Sequence, residues 1–116
     1  MADHLDLSWV RRGVEAWRRA ADALAVRQAS ARGPAAARLN EALRAIEQQW
    51  VLADGIPGRP WFRHALYAPK STYAAMELPG VREAVDQGDW AGAARELDRL
   101  AERLEAVVAA TEQAGN

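Results

Sequence analysis

The chain has 116 residues, half of them in the AVILMFWYC set and 27% charged, which is the size and balance of one folded domain and not of a disordered tail. Fifteen basic residues against sixteen acidic ones leave a formal net charge of −1, so no bulk field draws nucleic acid or an anionic membrane. The lack of cysteine excludes disulfides, thiolate metal sites and cysteine nucleophiles, and neither an apolar leader after Met1 nor a run of about eighteen apolar residues suggests a signal peptide or a membrane span.

The first helix is predicted over about residues 5–31, where Val10, Val14, Trp17, Ala21 and Leu24 recur at alternating steps of four and three and draw one stripe down its surface. Gly33 followed by Pro34 supplies a left-handed stop and a preorganised first turn, so the chain reverses there. A second helix follows over about 35–53, with Leu39, Leu43, Ile46 and Trp50 on its apolar face and Arg38, Glu41, Arg44 and Glu47 largely opposite. From 54 to 80 the helical period is lost, and four of the five prolines, Pro57, Pro60, Pro69 and Pro79, interrupt the chain. Trp61, Phe62, Tyr67 and Tyr73 make this a long, ordered, aromatic loop. A short helix over 81–87 ends at Gly88, Asp89 caps the last helix over 89–113, and Leu97, Leu100, Leu104, Val107 or Val108, and Thr111 form its stripe. Residues 1–116 thus read as a single all-α domain, a helical bundle of three long helices and one short one.

Catalytic chemistry finds little support. His4 and His64 are the two histidines, without metal-ligand spacing; His64 reads first as a loop histidine bonded to backbone or a carboxylate, and second as a ligand or acid–base group. Ser8, Ser30, Ser71, Thr72 and Thr111 occupy no nucleophile motif, and the eight glycines form no phosphate cradle. Glu96, Asp98, Glu102 and Glu105 alternate with Arg95, Arg99 and Arg103, the pattern of a solvated helix face. Arg11, Arg12, Arg18 and Arg19 beside Trp9 and Trp17 also suit a helix lying on a membrane, but Asp6, Glu15 and Asp22 interrupt them and a bundle core accounts for the stripe. Five tryptophans are many for this length. Trp17 and Trp50 fall on core stripes, whereas Trp61 in the loop and Trp9 and Trp90 at helix starts are core edge or interface anchors. Surplus apolar surface points to association. Arg59 and Arg63 flank the Trp61–Phe62 pair and read as ties from the loop to carboxylates or carbonyls; anchoring is the better reading for Arg63, while for Arg59 surface solvation stands level with it.

The run Arg59-Pro60-Trp61-Phe62-Arg63-His64-Ala65-Leu66-Tyr67-Ala68-Pro69, followed by Ser71-Thr72-Tyr73-Ala74 and Leu78-Pro79-Gly80-Val81, resembles the C-terminal helical dimerisation domain of the transferrin receptor and glutamate carboxypeptidase II family. The likeness spans about 39–114, and the leading helix matches in type more than in letters. It implies a domain that follows a zinc peptidase domain of the M28 type and an apical domain and pairs two chains as a homodimer. Zinc would belong to that peptidase domain, so this chain is expected to hold no metal or cofactor and no catalytic residue of its own. In the carboxypeptidases the loop also reaches over the active site, where a Lys-Tyr pair touches the substrate's terminal glutamate. Tyr73 matches that tyrosine, Thr72 stands where the lysine would be, the loop after Pro69 is shorter, and Lys70 offers a cation from another angle. A free-standing receptor-like protein-binding module is the alternative function, and hydrolysis by the chain alone ranks last.

Overall fold

The computed structural model describes residues 5–69 and 75–116. In chain order these form α1 (Ser8–Ser30), α2 (Pro34–Gln48), β1 (Tyr67–Pro69), β2 (Ala75–Glu77), α3 (Pro79–Asp86) and α4 (Trp90–Gly115), an all-α architecture carrying one small antiparallel strand pair. The chain divides into two compact units, Ser8–Gln49 with Leu104–Asn116, and Trp50–Arg103 with Met1–Leu7.

The first unit holds α1, α2 and the end of α4. Gly33, at φ 59°, and Pro34 at the head of α2 turn the chain back, and Leu24, Leu39 and Ala114 are buried with Ala31, Ala42, Leu43 and Ile46 against them. Each leucine so removed from water contributes roughly 1.5–3 kcal/mol. α1 is fixed on α4 along its length. A Cβ on Gly13 would stand 2.4 Å from Leu104 Cδ2, and one on Gly115 would stand 3.2 Å from the Leu24 nitrogen. Between them the Trp17 indole N–H donates to Thr111 Oγ1 at 3.2 Å. The contacts advance together along both helices, so the two run parallel. Thr111 is 1% exposed and its hydroxyl donates in turn to the Val107 carbonyl at 2.7 Å, which leaves this polar side chain satisfied inside the core. Arg27 donates to the Ala114 carbonyl at 3.0 Å, completing one of the unpaired carbonyls at the end of α4.

The α1 stripe differs from the sequence expectation. Val14 is 50% exposed and Ala21 is exposed, while Ala20 is buried. The cause is Gly13: with no Cβ there, Leu104 packs onto the helix backbone, and the contact line runs through Gly13, Trp17, Ala20 and Leu24 instead of one position round. On α4 the buried row is Leu97, Leu104, Val107 and Thr111, so Val107 and not Val108 takes the core position.

The second unit holds the loop, the strand pair, α3 and the first part of α4. Here α2 has already ended at Gln48, short of the expected 53, because the next residues pair across the chain. The Trp50 carbonyl accepts from Ala65 N–H at 2.8 Å and Leu52 N–H donates to the Arg63 carbonyl at 2.6 Å, around a Val51–His64 bridge. Trp50 is buried, outside the helix whose stripe it was expected to end. Leu52, Ile56 and Ala65 are buried with it. Tyr67 pairs with Glu77 and Pro69 with Ala75, strands too short to leave an alternating pattern in the sequence. α3 starts at Pro79, earlier than 81, since proline suits the first helical turn. It ends in a Schellman closure: Gly88, φ 71°, donates to Val85 and Asp89 to Ala84. The Asp89 carboxylate then accepts from Gly92 N–H at 2.8 Å and starts α4.

Candidate interface and loop site

The 50–66 loop is built from consecutive tight turns. Gly55 N–H donates to Leu52, Arg59 to Ile56, Phe62 to Arg59 and Ile56 to Phe62, each between 3.0 and 3.2 Å. Gly55 and Gly58 supply the left-handed conformations, at φ 71° and 77°. Arg63 folds back over the loop, Nη2 donating to the Ala53 carbonyl at 2.8 Å and Nε to Leu52 at 3.4 Å. Arg59 lies with its guanidinium 5.6 Å from the Phe62 ring centroid and its Nε 3.1 Å from Glu83 on α3. Trp61 meets Phe62 edge-on at 6.0 Å yet remains 69% exposed. His64 Nδ1 accepts from the Leu66 N–H at 3.2 Å, which places a neutral ring's proton on Nε2, and its ring sits 5.9 Å from Tyr67. Arg59, Trp61, Arg63 and His64 therefore share one loop.

The remaining sequence candidates are dispersed. Trp90 opens α4 in the same unit, half-buried, whereas Trp9 lies half-buried in the first turn of α1, in the other unit. Lys70, Thr72 and Tyr73 lie outside the described residues.

Sequence reasoning missed the charged pair behind the loop. Glu96 is 8% exposed, not on a solvated face, and both its oxygens accept from Arg99 Nη1, at 3.0 and 3.2 Å. Arg99 Nη2 donates to the Gly55 carbonyl at 2.9 Å. A Cβ on Gly80 would meet Glu96 Oε1 at 2.4 Å, so the carboxylate fills the place a side chain would take at the start of α3. The Glu–Arg spacing of three is common on wet helices; the usable signal was Glu96's place between Ala93 and Leu100 on the apolar stripe.

Chemically the arrangement holds shape and presents surface. Among the described residues no group of three or more His, Asp or Glu side chains lies close enough to hold a metal ion, and no helix is long and apolar enough to cross a membrane. An open hollow of about 240 Å³ beside Val51, Asp54, Arg99 and Arg103 is smaller than the roughly 300–1,000 Å³ of small-molecule sites. Exposed apolar side chains occur in both units, Trp61, Tyr67, Val51 and Leu78 in this one and Val14 and Val26 in the other.

The family model described as the transferrin receptor-like dimerisation domain matches residues 5–111, so the likeness takes in the leading helix. A probable glutamate carboxypeptidase of Arabidopsis thaliana is 28% identical over 89 residues, 74% of this chain and 13% of that protein. Another from Arthroderma benhamiae is 34% identical over 68 residues, 57% of this chain and 9% of its own length. One from Zea mays is 33% identical over 51 residues, 42% and 7% respectively. The chain thus spans only a small part of the curated relatives it matches.

Proposed function

This chain belongs to the transferrin receptor-like dimerisation domain family, and we propose that it pairs two copies of a peptidase-type chain without carrying out hydrolysis itself. The observation that carries the reading is the family match over 5–111; exposed Trp61 and Tyr67 support it, since large aromatics on a small domain are interface anchors. The relatives are named glutamate carboxypeptidases, and the chain covers 13% or less of each. The chemistry in those names is assigned here to other parts of a longer chain, and zinc with it. Trp9, Trp61 and Trp90 are the proposed interface residues. Tyr73, with Thr72 and Lys70 beside it, is the proposed contact to a substrate held by the neighbouring peptidase domain, and Arg59, Arg63 and His64 anchor the 50–66 loop that precedes it.

Sedimentation equilibrium of the chain over a wide concentration range is the direct test. A reversible two-fold association is expected, through a surface that meets its own copy. A strict monomer at the highest concentration, together with a monomeric longer chain bearing a peptidase domain, would remove the proposal.

A further inference from the structure

Leu78 joins β2 to α3 at φ 47°, ψ 59°, a left-handed conformation that costs a branched side chain energy and that a following proline restricts further. It is the one non-glycine residue with positive φ among those described, and such a conformation persists only where its surroundings hold it. Part of the hold is backbone: Leu78 N–H donates to Leu66 at 2.7 Å, and the Leu78 carbonyl accepts from Arg82 at 2.9 Å. Two residues on, the buried Glu96 carboxylate occupies the space above Gly80. α3 has no side-chain cap and no acid in its first turn, so Glu96 supplies from α4 the negative charge that a helix N-terminus favours. Through Arg99 the same carboxylate is tied to the Gly55 carbonyl, at a left-handed turn so tight that a Cβ would lie 2.4 Å from the Pro60 oxygen.

We propose that Glu96 and Arg99 form a latch that holds two turns at once, the tight Gly55 turn of the 50–66 loop and the strained Leu78 turn into α3, and so sets the presentation of Trp61 and the strand pair. Both act as positioning residues. Glu96 secures α3 by charge and by filling the space at Gly80; Arg99 extends that hold to the loop. The functional consequence rests on the pairing proposal, while the latch itself is a property of the single chain.

Amide hydrogen exchange on the 116-residue chain tests it, because local opening is read segment by segment. In Glu96→Gln, which keeps the shape and removes the charge, exchange over 52–63 and 79–86 is expected to rise together by about tenfold, with α1 and α2 unchanged. Arg99→Lys is expected to loosen 52–63 and leave 79–86 near its original rate, since an ammonium cannot hold both carboxylate oxygens and the Gly55 carbonyl. Adding Leu78→Gly to Glu96→Gln should restore 79–86 alone, because glycine needs no holding at positive φ. Unchanged exchange in Glu96→Gln, a rise spread evenly through α1 and α2, or no recovery on adding Leu78→Gly each overturns the latch. A chain that stays monomeric at every concentration, with exchange in both segments still rising together in Glu96→Gln, would instead count against the dimer and leave the latch standing.

Discussion

Gly55 and Gly58 share nearly the same left-handed φ, 71° and 77°, but their surroundings differ. A Cβ on Gly55 would lie 2.4–2.6 Å from the backbone of Pro60, whereas one on Gly58 meets nothing within 4 Å. Alanine at 58 therefore has only the conformational cost, about 1–2 kcal/mol. Alanine at 55 has that cost plus a clash with main chain that cannot swing aside, and its loss of stability should exceed that of Gly58→Ala by roughly 1–3 kcal/mol. Urea unfolding of the two variants side by side measures the difference; equal midpoints would mean the turn relaxes freely. From the sequence both glycines read only as loop residues, since a clash with a residue five positions on is a property of the folded turn.

At the scale of elements, the junction between α3 and α4 was legible and the end of α2 was not. Gly88 and Asp89 act through bonds to residues within five positions, at Ala84, Val85 and Gly92, and a local signal survives in a one-dimensional reading. Replacing Asp89 with alanine should cost about 1 kcal/mol, most of it recovered by serine or asparagine, which can also accept at a helix start. Thermal unfolding of the three variants checks this, and an alanine variant as stable as the native chain would show that the carboxylate bond to Gly92 adds nothing. The apolar period through Val51 and Leu52, by contrast, continues the α2 pattern, and only pairing with 63–65 pulls those residues out of the helix. Glu96 was misplaced for the same kind of reason. Its partner Arg99 is local, but the space at Gly80 and the carbonyl of Gly55 that make burial tolerable lie far along the chain. Stripes of leucine on α2 and α4 told the class of fold; Gly13 decided which arc of α1 was covered, a choice that the spacing of Val14 and Ala21 could not express.

For the whole molecule the question is which surface the pairing uses, and Trp61 separates the alternatives because it contributes little to the fold. At 69% exposure, with one edge contact to Phe62, its removal should change unfolding stability by no more than about 0.5–1 kcal/mol. A tryptophan that becomes buried between two chains commonly contributes 2 kcal/mol or more, and a two-fold dimer carries the substitution twice, so Trp61→Ala should weaken the dimer by at least about 30-fold if the loop lies in the interface. The ratio of the two effects decides the matter. A large rise in the dissociation constant with an unchanged unfolding midpoint places the loop between chains. An unchanged dissociation constant, with altered turnover when the substitution is made in a longer chain bearing the peptidase domain, places the loop over the substrate site instead and moves the interface search to Trp9 and Trp90. If both constants stay fixed, neither role belongs to Trp61, and its exposure is the ordinary exposure of a loop aromatic.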